Sequence, residues 1–153
     1  MHTSGNLLQA DFRVPSLDHA DLLKAASLLT RNHQDVLRLF RRMVFNVLAH
    51  NRDDHVKSFA FILDALTGNW ALSPAYDLSH TPGPGGEHTL TLAGEGRHPQ
   101  PSHMLGLAGQ AGIPTIQADD IIREVRLAVS RWPEHAIAAG VTPACTKRLK
   151  FDQ

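Results

Sequence analysis

The chain predicts a mainly α protein with a small β component, an α+β fold, and three observations carry that prediction. Several stretches repeat apolar residues at helical spacing. The stretch 58–63 alternates instead, and a turn and a short apolar return follow it. Between the helical and alternating patterns lie eight residues, His50 to Lys57, in which Val56 is the one apolar side chain.

Ser16, after Pro15, is expected to cap a first helix, in which Leu17, Ala20, Leu23, Ala26 and Leu29 share a face. Residues 31–34 are a polar break. A second helix is expected from Asp35 to Ala49, with Val36, Phe40, Val44 and Leu48 on one stripe and Arg38, Arg41 and Arg42 mostly opposite. After the polar stretch, Ser58 to Leu63 reads as a strand with Phe59, Phe61 and Leu63 on one face. Asp64–Asn69 is a turn and Trp70–Leu72 a second strand, so the two form a β-hairpin. Residues 80–87, with two prolines and three glycines, must be a loop, and its expected property is mobility. His88–Leu92 alternates and is expected as a short strand. Pro101 and Ser102 open a helix to Gln110, which Gly112-Ile113-Pro114 breaks. The last long helix is expected over Ala118–Trp132; Pro133 ends or kinks it, and Gly140 sets off a short segment from Thr142. Trp70 and Trp132 are expected in the core.

The 153 residues suffice for one domain, 1–153, and 42% are hydrophobic, as in globular chains. Fifteen basic and fifteen acidic groups balance, and both halves share them evenly. That balance argues against direct binding of nucleic acid or of an anionic membrane surface. The single cysteine, Cys145, excludes an internal disulfide or a multi-cysteine zinc site, accords with a cytoplasmic setting, and reads as an inert thiol. The start, Met1-His2-Thr3-Ser4-Gly5-Asn6, has no secretory pattern, and no apolar run is long enough to span a bilayer. The chain enters Leu7-Leu8-Gln9-Ala10 at once, as if it began partway through a larger fold.

The chemistry concentrates in residues 51–58 and Asp77. Phosphoryl transfer from a nucleotide needs a carboxylate that orients the attacking hydroxyl and oxygen ligands that hold Mg²⁺ on the phosphates. Protein kinases meet this with Arg-Asp, an Asn five residues after the Asp, a hairpin, and a second Asp. Here Arg52-Asp53 precedes Ser58 by the same five residues; the hairpin and Asp77 follow. A hairpin brings its outer ends together, so Asp53 and Asp77 can face one site. The order of helix, polar loop, hairpin, Asp and flexible loop is similar to that of a kinase C-lobe.

The run Phe45-Asn46-Val47-Leu48-Ala49-His50-Asn51-Arg52-Asp53-Asp54-His55-Val56-Lys57-Ser58-Phe59, followed by Pro74-Ala75-Tyr76-Asp77, resembles the C-terminal domain of the HipA family. These are bacterial serine/threonine kinases that act as toxins of toxin–antitoxin systems. The family pattern is Asn-x-Asp-x-His-x-Lys-Asn, then Pro-x-Tyr-Asp; the segments Leu7–Ser16 and Gly85–Thr89 are similar as well. The resemblance implies a protein-kinase-like helical C-lobe with the hairpin at the active site, and ATP with Mg²⁺ as cofactors. It implies Asp53 as the catalytic base, Asp77 as the Mg²⁺ ligand on the nucleotide phosphates, and His55 and Lys57 lining the site, with Lys57 near phosphate or substrate. It also implies a protein substrate and an antitoxin-type repressor as partners.

Two departures stand out. Ser58 occupies the place of the family's asparagine; a hydroxyl still binds Mg²⁺, but its oxygen sits closer to the backbone. The family's N-terminal lobe, with its phosphate-covering loop and ATP-anchoring lysine, would precede residue 1; Lys24 and Lys57 do not replace it. The chain therefore reads as the C-lobe alone: a fragment, a truncated product or half of a split kinase whose N-lobe is a separate chain. It is expected to have little or no kinase activity by itself. The competing reading is a non-catalytic interaction module, a degenerate lobe that binds a repressor or a separate N-lobe. Asp53 and Asp54 taken alone fit a solvated loop, and Asp54 reads as a loop or N-cap residue rather than a catalytic one. A zinc hydrolase built from His50 and His55 with His80, His88, His98 or His103 lacks any His-Glu-x-x-His frame. Gly83-Pro84-Gly85-Gly86 lacks the Lys-Ser/Thr of a Walker loop.

Overall fold

The structure is a computed structural model, and it describes residues 1–9 and 17–148. A short β1 (His2–Thr3) runs into a single helical turn, α1 (Ser4–Leu7). Two antiparallel helices follow, α2 (His19–Thr30) and α3 (His33–Leu48). Next come the hairpin strands β2 (Ala60–Leu63) and β3 (Trp70–Leu72). After a long loop with a 3₁₀ turn at Pro84–Gly86, the described residues finish with α4 (Pro101–Gln110), α5 (Thr115–Ser130), α6 (Trp132–Ala138) and α7 (Pro143–Arg148). Helices dominate and a three-stranded antiparallel sheet, ordered β1-β2-β3, completes the α+β architecture.

Helix α3 is the axis of the core. It packs against α2 on one side and α5 on the other. Phe40, Met43 and Val44 are fully buried, joined by Leu22 and Leu23 from α2 and Ile121 and Val125 from α5. Burying each such side chain contributes about 1.5–3 kcal/mol. Asn32 caps α3, its side chain accepting from the Gln34 amide at 3.0 Å, so the helix begins two residues before Asp35. Helix α2 is capped by Asp18, which exchanges hydrogen bonds with the first turn through Asp21. Ser16, the expected cap, lies outside the described residues.

In the sheet, Phe61 of β2 faces His2 of β1 and Leu72 of β3. Phe59 and Phe61 are buried as expected, but Leu63 is 40% exposed. The hairpin tip, closed by Asp64–Asn69 hydrogen bonds, reaches past the core, so alternation there no longer decides burial. The β1 pairing was not legible: two residues are too few to show a period.

Three other expectations shift. Residues 88–92 form no strand. The Leu90 amide, and in part that of Thr89, bonds to the Asp54 carboxylate, and Leu92 turns back onto Glu95. Leu90 and Leu92 are buried all the same. The last long helix does end just before Pro133, at Ser130, as expected, but helical structure resumes at once: Pro133 sits in the first turn of α6, where its missing N–H costs nothing. Trp132 and Trp70 are half-buried rather than core residues; Trp70 lies against His2 with ring centroids 5.6 Å apart. Among the described residues, no helix is long and apolar enough to cross a membrane.

Candidate active site

The site begins where α3 ends. His50 adopts a left-handed backbone (φ 51°) and turns the chain out of the helix. Asn51, 1% exposed, then ties the loop together. Its amide nitrogen donates to Asn46 Oδ1 (3.1 Å) and to the Asp77 carbonyl (3.2 Å), and its oxygen accepts from the Thr81 hydroxyl (3.3 Å). The Thr81 hydroxyl also accepts from the Asp53 amide at 3.1 Å. The backbone that presents Asp53 is thereby fixed from two directions while its carboxylate, 56% exposed, faces outward.

From Asp53 a row of polar side chains runs to Asp77. His55 Nε2 lies 4.0 Å from Asp53 Oδ1. His55 Nδ1 lies 3.0 Å from Ser58 Oγ, and Ser58 Oγ donates to Asp77 Oδ2 at 3.1 Å. A hydroxyl has one proton to give. When Ser58 gives it to Asp77, the hydrogen shared with His55 must sit on Nδ1. Ser58 is 4% exposed, whereas Asp77 is open to solvent. Asp77 holds a left-handed backbone (φ 57°), a conformation that a non-glycine residue keeps only where its surroundings enforce it. Here the surroundings are Asn51 on its carbonyl and the neighbouring Tyr76, whose hydroxyl donates to the Lys57 carbonyl at 2.5 Å. Burial and the Asp77 charge push the Tyr76 phenol upward, against the pull of Arg42, so it remains a donor. Lys57 is exposed on the same turn.

The structure thus brings Asp53, His55, Ser58 and Asp77 into one row, with Lys57 beside it, as the hairpin argument requires. The carboxylate of Asp77 and the hydroxyl of Ser58 are two adjacent hard oxygen donors, the kind that Mg²⁺ shares with phosphate and water. Among the described residues, no three His, Cys, Asp or Glu side chains converge as a metal cluster.

Asp54 corrects the sequence reading. It caps no helix and is not a solvated loop residue, being 0% exposed. One carboxylate oxygen meets His19 Nε2 (3.3 Å) and His88 Nδ1 (3.1 Å); the other accepts from the Thr89 (3.1 Å) and Leu90 (3.3 Å) amides. Burial would raise its carboxyl, but the hydrogen bonds and charges of His19 and His88 outweigh burial and hold it below its ordinary value. Asp54 therefore pins the loop between α2 and residues 88–90. Arg52 holds the other flank. Its Nη1 donates to the Pro82 carbonyl at 3.2 Å, and its side chain packs on Gly83, where an added Cβ would come within 2.6 Å of Arg52 Cβ. Gly83, with φ 70°, has to be glycine there. Asn51 and Thr81 were missed as contributors; Asn51 opens the Asn-x-Asp-x-His-x-Lys pattern, which is a readable signal, but nothing in the sequence marks Thr81.

A model of the HipA-like C-terminal domain matches residues 1–132. The chain belongs to this family. Among solved structures, the HipA of a Shewanella oneidensis MR-1 toxin–antitoxin system, in complex with HipB and its operator DNA, is similar in fold, with a TM-score of 0.62. The sequences are 16% identical, and the match covers 76% of this chain and 29% of that one. This HipA-like chain therefore spans less than a third of that structure, and the likeness shows the fold alone. No curated protein matches the chain.

Proposed function

We propose that this HipA-like domain is the catalytic lobe of a serine/threonine-protein kinase that transfers phosphate from ATP to a protein hydroxyl. The observation that carries the reading is the row from Asp53 through His55 and Ser58 to Asp77, in which each side chain stands at or near hydrogen-bond distance of the next. Asp53, exposed on a fixed backbone, orients the substrate hydroxyl and takes its proton as the new O–P bond forms and the bond from the γ-phosphorus to the bridging oxygen breaks, releasing ADP. Asp77 and Ser58 would hold Mg²⁺, which when bound offsets charge on the nucleotide phosphates. His55 sets the hydrogen bonding of Ser58, and Lys57 lies where it can meet phosphate or substrate.

These 153 residues hold one wall of such a cleft. In a site open to water the same charges act through a high dielectric and stabilise a transition state weakly. We therefore expect little phosphotransfer from these residues alone and full activity in the presence of an N-lobe. The relative's complex with HipB and operator DNA makes an antitoxin-type repressor the partner we expect here. Any DNA contact would then come through that partner, since this chain has no net charge. The second reading, a degenerate lobe that serves only as an interaction module, is favoured by Ser58 in place of the family's asparagine.

Calorimetric titration with ATP and Mg²⁺, repeated on Asp77→Ala, tests the proposal. Binding that requires both Mg²⁺ and Asp77 supports the kinase lobe. The absence of binding at about 1 mM nucleotide marks the lobe as incomplete or degenerate, and a stable complex with a partner chain that still binds no nucleotide then favours the interaction module.

A further inference from the structure

A groove that takes no part in the Asp53–Asp77 row runs along the seam between α3, residues 72–80 and the α5–α6 segment. It consists of two adjoining cavities, of about 600 Å³ and about 530 Å³, which share Phe45, Leu78 and Ala128 as a common apolar wall. Both volumes lie in the range of ligand sites. The first cavity ends at three arginines of α3, Arg38, Arg41 and Arg42, and the second at His80 and His135.

The arginine end carries more positive charge than its neighbours offset. Arg38 pairs with Asp35 (3.1 Å) and Arg41 with Glu124 (2.6 Å). Arg42 is 7% exposed. It donates through Nη2 to the Ser73 carbonyl (2.8 Å) and lies over the Phe59 ring, but among the described residues its Nη1 has no hydrogen-bond partner and no carboxylate pairs with it. A buried guanidinium without a counter-charge is costly, and that cost is relieved when an anion arrives. The apolar wall beside it remains uncovered: Leu78 is 44% exposed.

The geometry points to an acidic peptide segment of a partner protein as the occupant, with a carboxylate at the arginine end and a large apolar side chain against Phe45, Leu78 and Ala128. A small inorganic anion would leave that wall bare. A nucleic-acid strand would need a longer row of cations than the groove offers. Tyr76 and Asp77 belong to the same stretch but line neither cavity. The groove itself uses no residue of the phosphotransfer row, and this inference stands or falls independently of that reading.

Fluorescence anisotropy of the 153-residue chain with a labelled heptapeptide, Glu-Leu-Glu-Phe-Glu-Leu-Glu, tests it against the same peptide with glutamine for glutamate. The expected result is saturable binding of the acidic peptide, about tenfold weaker for the glutamine peptide and weakened by salt. The double variant Arg38→Gln/Arg41→Gln, which removes two exposed charges and leaves the buried Arg42 in place, should weaken binding by about tenfold. Ala128→Trp, at an exposed helix position, should fill the groove and abolish it, while Asp77→Ala should leave it unchanged. Equal binding of the two peptides, binding that survives Ala128→Trp, or no binding up to about 1 mM would overturn the inference. So would a concentration-dependent dimer that Ala128→Trp disperses, since the occupant would then be a second copy of the chain.

Discussion

Asp53 and Asp54 are neighbours in the sequence and opposites in the structure. Asp53 points into solvent at the head of the His55–Ser58–Asp77 row. Asp54 points inward and is fully enclosed by two imidazoles and two amides. The first is held by its backbone and leaves its side chain available; the second spends its side chain holding the backbone. A carboxylate meant for chemistry has to keep its lone pairs for a ligand. It can do so on a loop only if another group fixes the loop. Here that other group is the very next residue.

The sharpest way to break this contrast is to remove the inner carboxylate. Asp54→Ala leaves His19, His88 and the Leu90 amide without this acceptor, the Thr89 amide keeping the Arg52 carbonyl, and should cost about 3–5 kcal/mol in denaturant unfolding. The pH dependence follows from the same group. Its folded pKa lies below the unfolded value, so its stabilisation is fully present above about pH 3.9 and is lost as pH falls through the folded value. Asp54→Asn should flatten that acid limb. Next in size, Asn51→Ala removes a buried side chain with three hydrogen-bond partners and should cost about 1–3 kcal/mol. Gly83→Ala should cost at least about 1–3 kcal/mol through its positive φ, to which clashes with the Glu87 carbonyl and with Arg52 add. Gly85→Ala, also at positive φ but with open space around its Cβ, should cost less. Smallest of all, Asp53→Asn should move stability by no more than about 0.5 kcal/mol, because the side chain is 56% exposed and its contact with His55 is long, at 4.0 Å.

The legible and illegible parts of the fold divide along the same line. Helix α3 was readable because its apolar stripe repeats over many turns, and the hairpin because alternation and turn residues occur together. Asp53, His55, Lys57, Ser58 and Asp77 were readable as a pattern of residue types, and the hairpin explains why they meet. The role of Asp54 was not readable, since its partners lie more than thirty residues away on either side and are chosen by packing, not by local propensity. The strand expected at 88–92 failed for the same reason. Its alternation is real, with Leu90 and Leu92 buried, but amides that would build a ladder are taken by Asp54. The Trp132 expectation failed because a helix start beside a groove buries only part of a large ring.

The central claim, that one of these two aspartates serves chemistry and the other architecture, is tested most directly by a crossed measurement on Asp53→Asn and Asp54→Asn. Thermal unfolding and phosphotransfer in the presence of an N-lobe are recorded for both. The account predicts that Asp53→Asn keeps the wild-type melting temperature and loses phosphotransfer, while Asp54→Asn melts well below wild type. An Asp53→Asn variant that transfers phosphate as well as wild type, or an Asp54→Asn variant as stable as wild type, would contradict it.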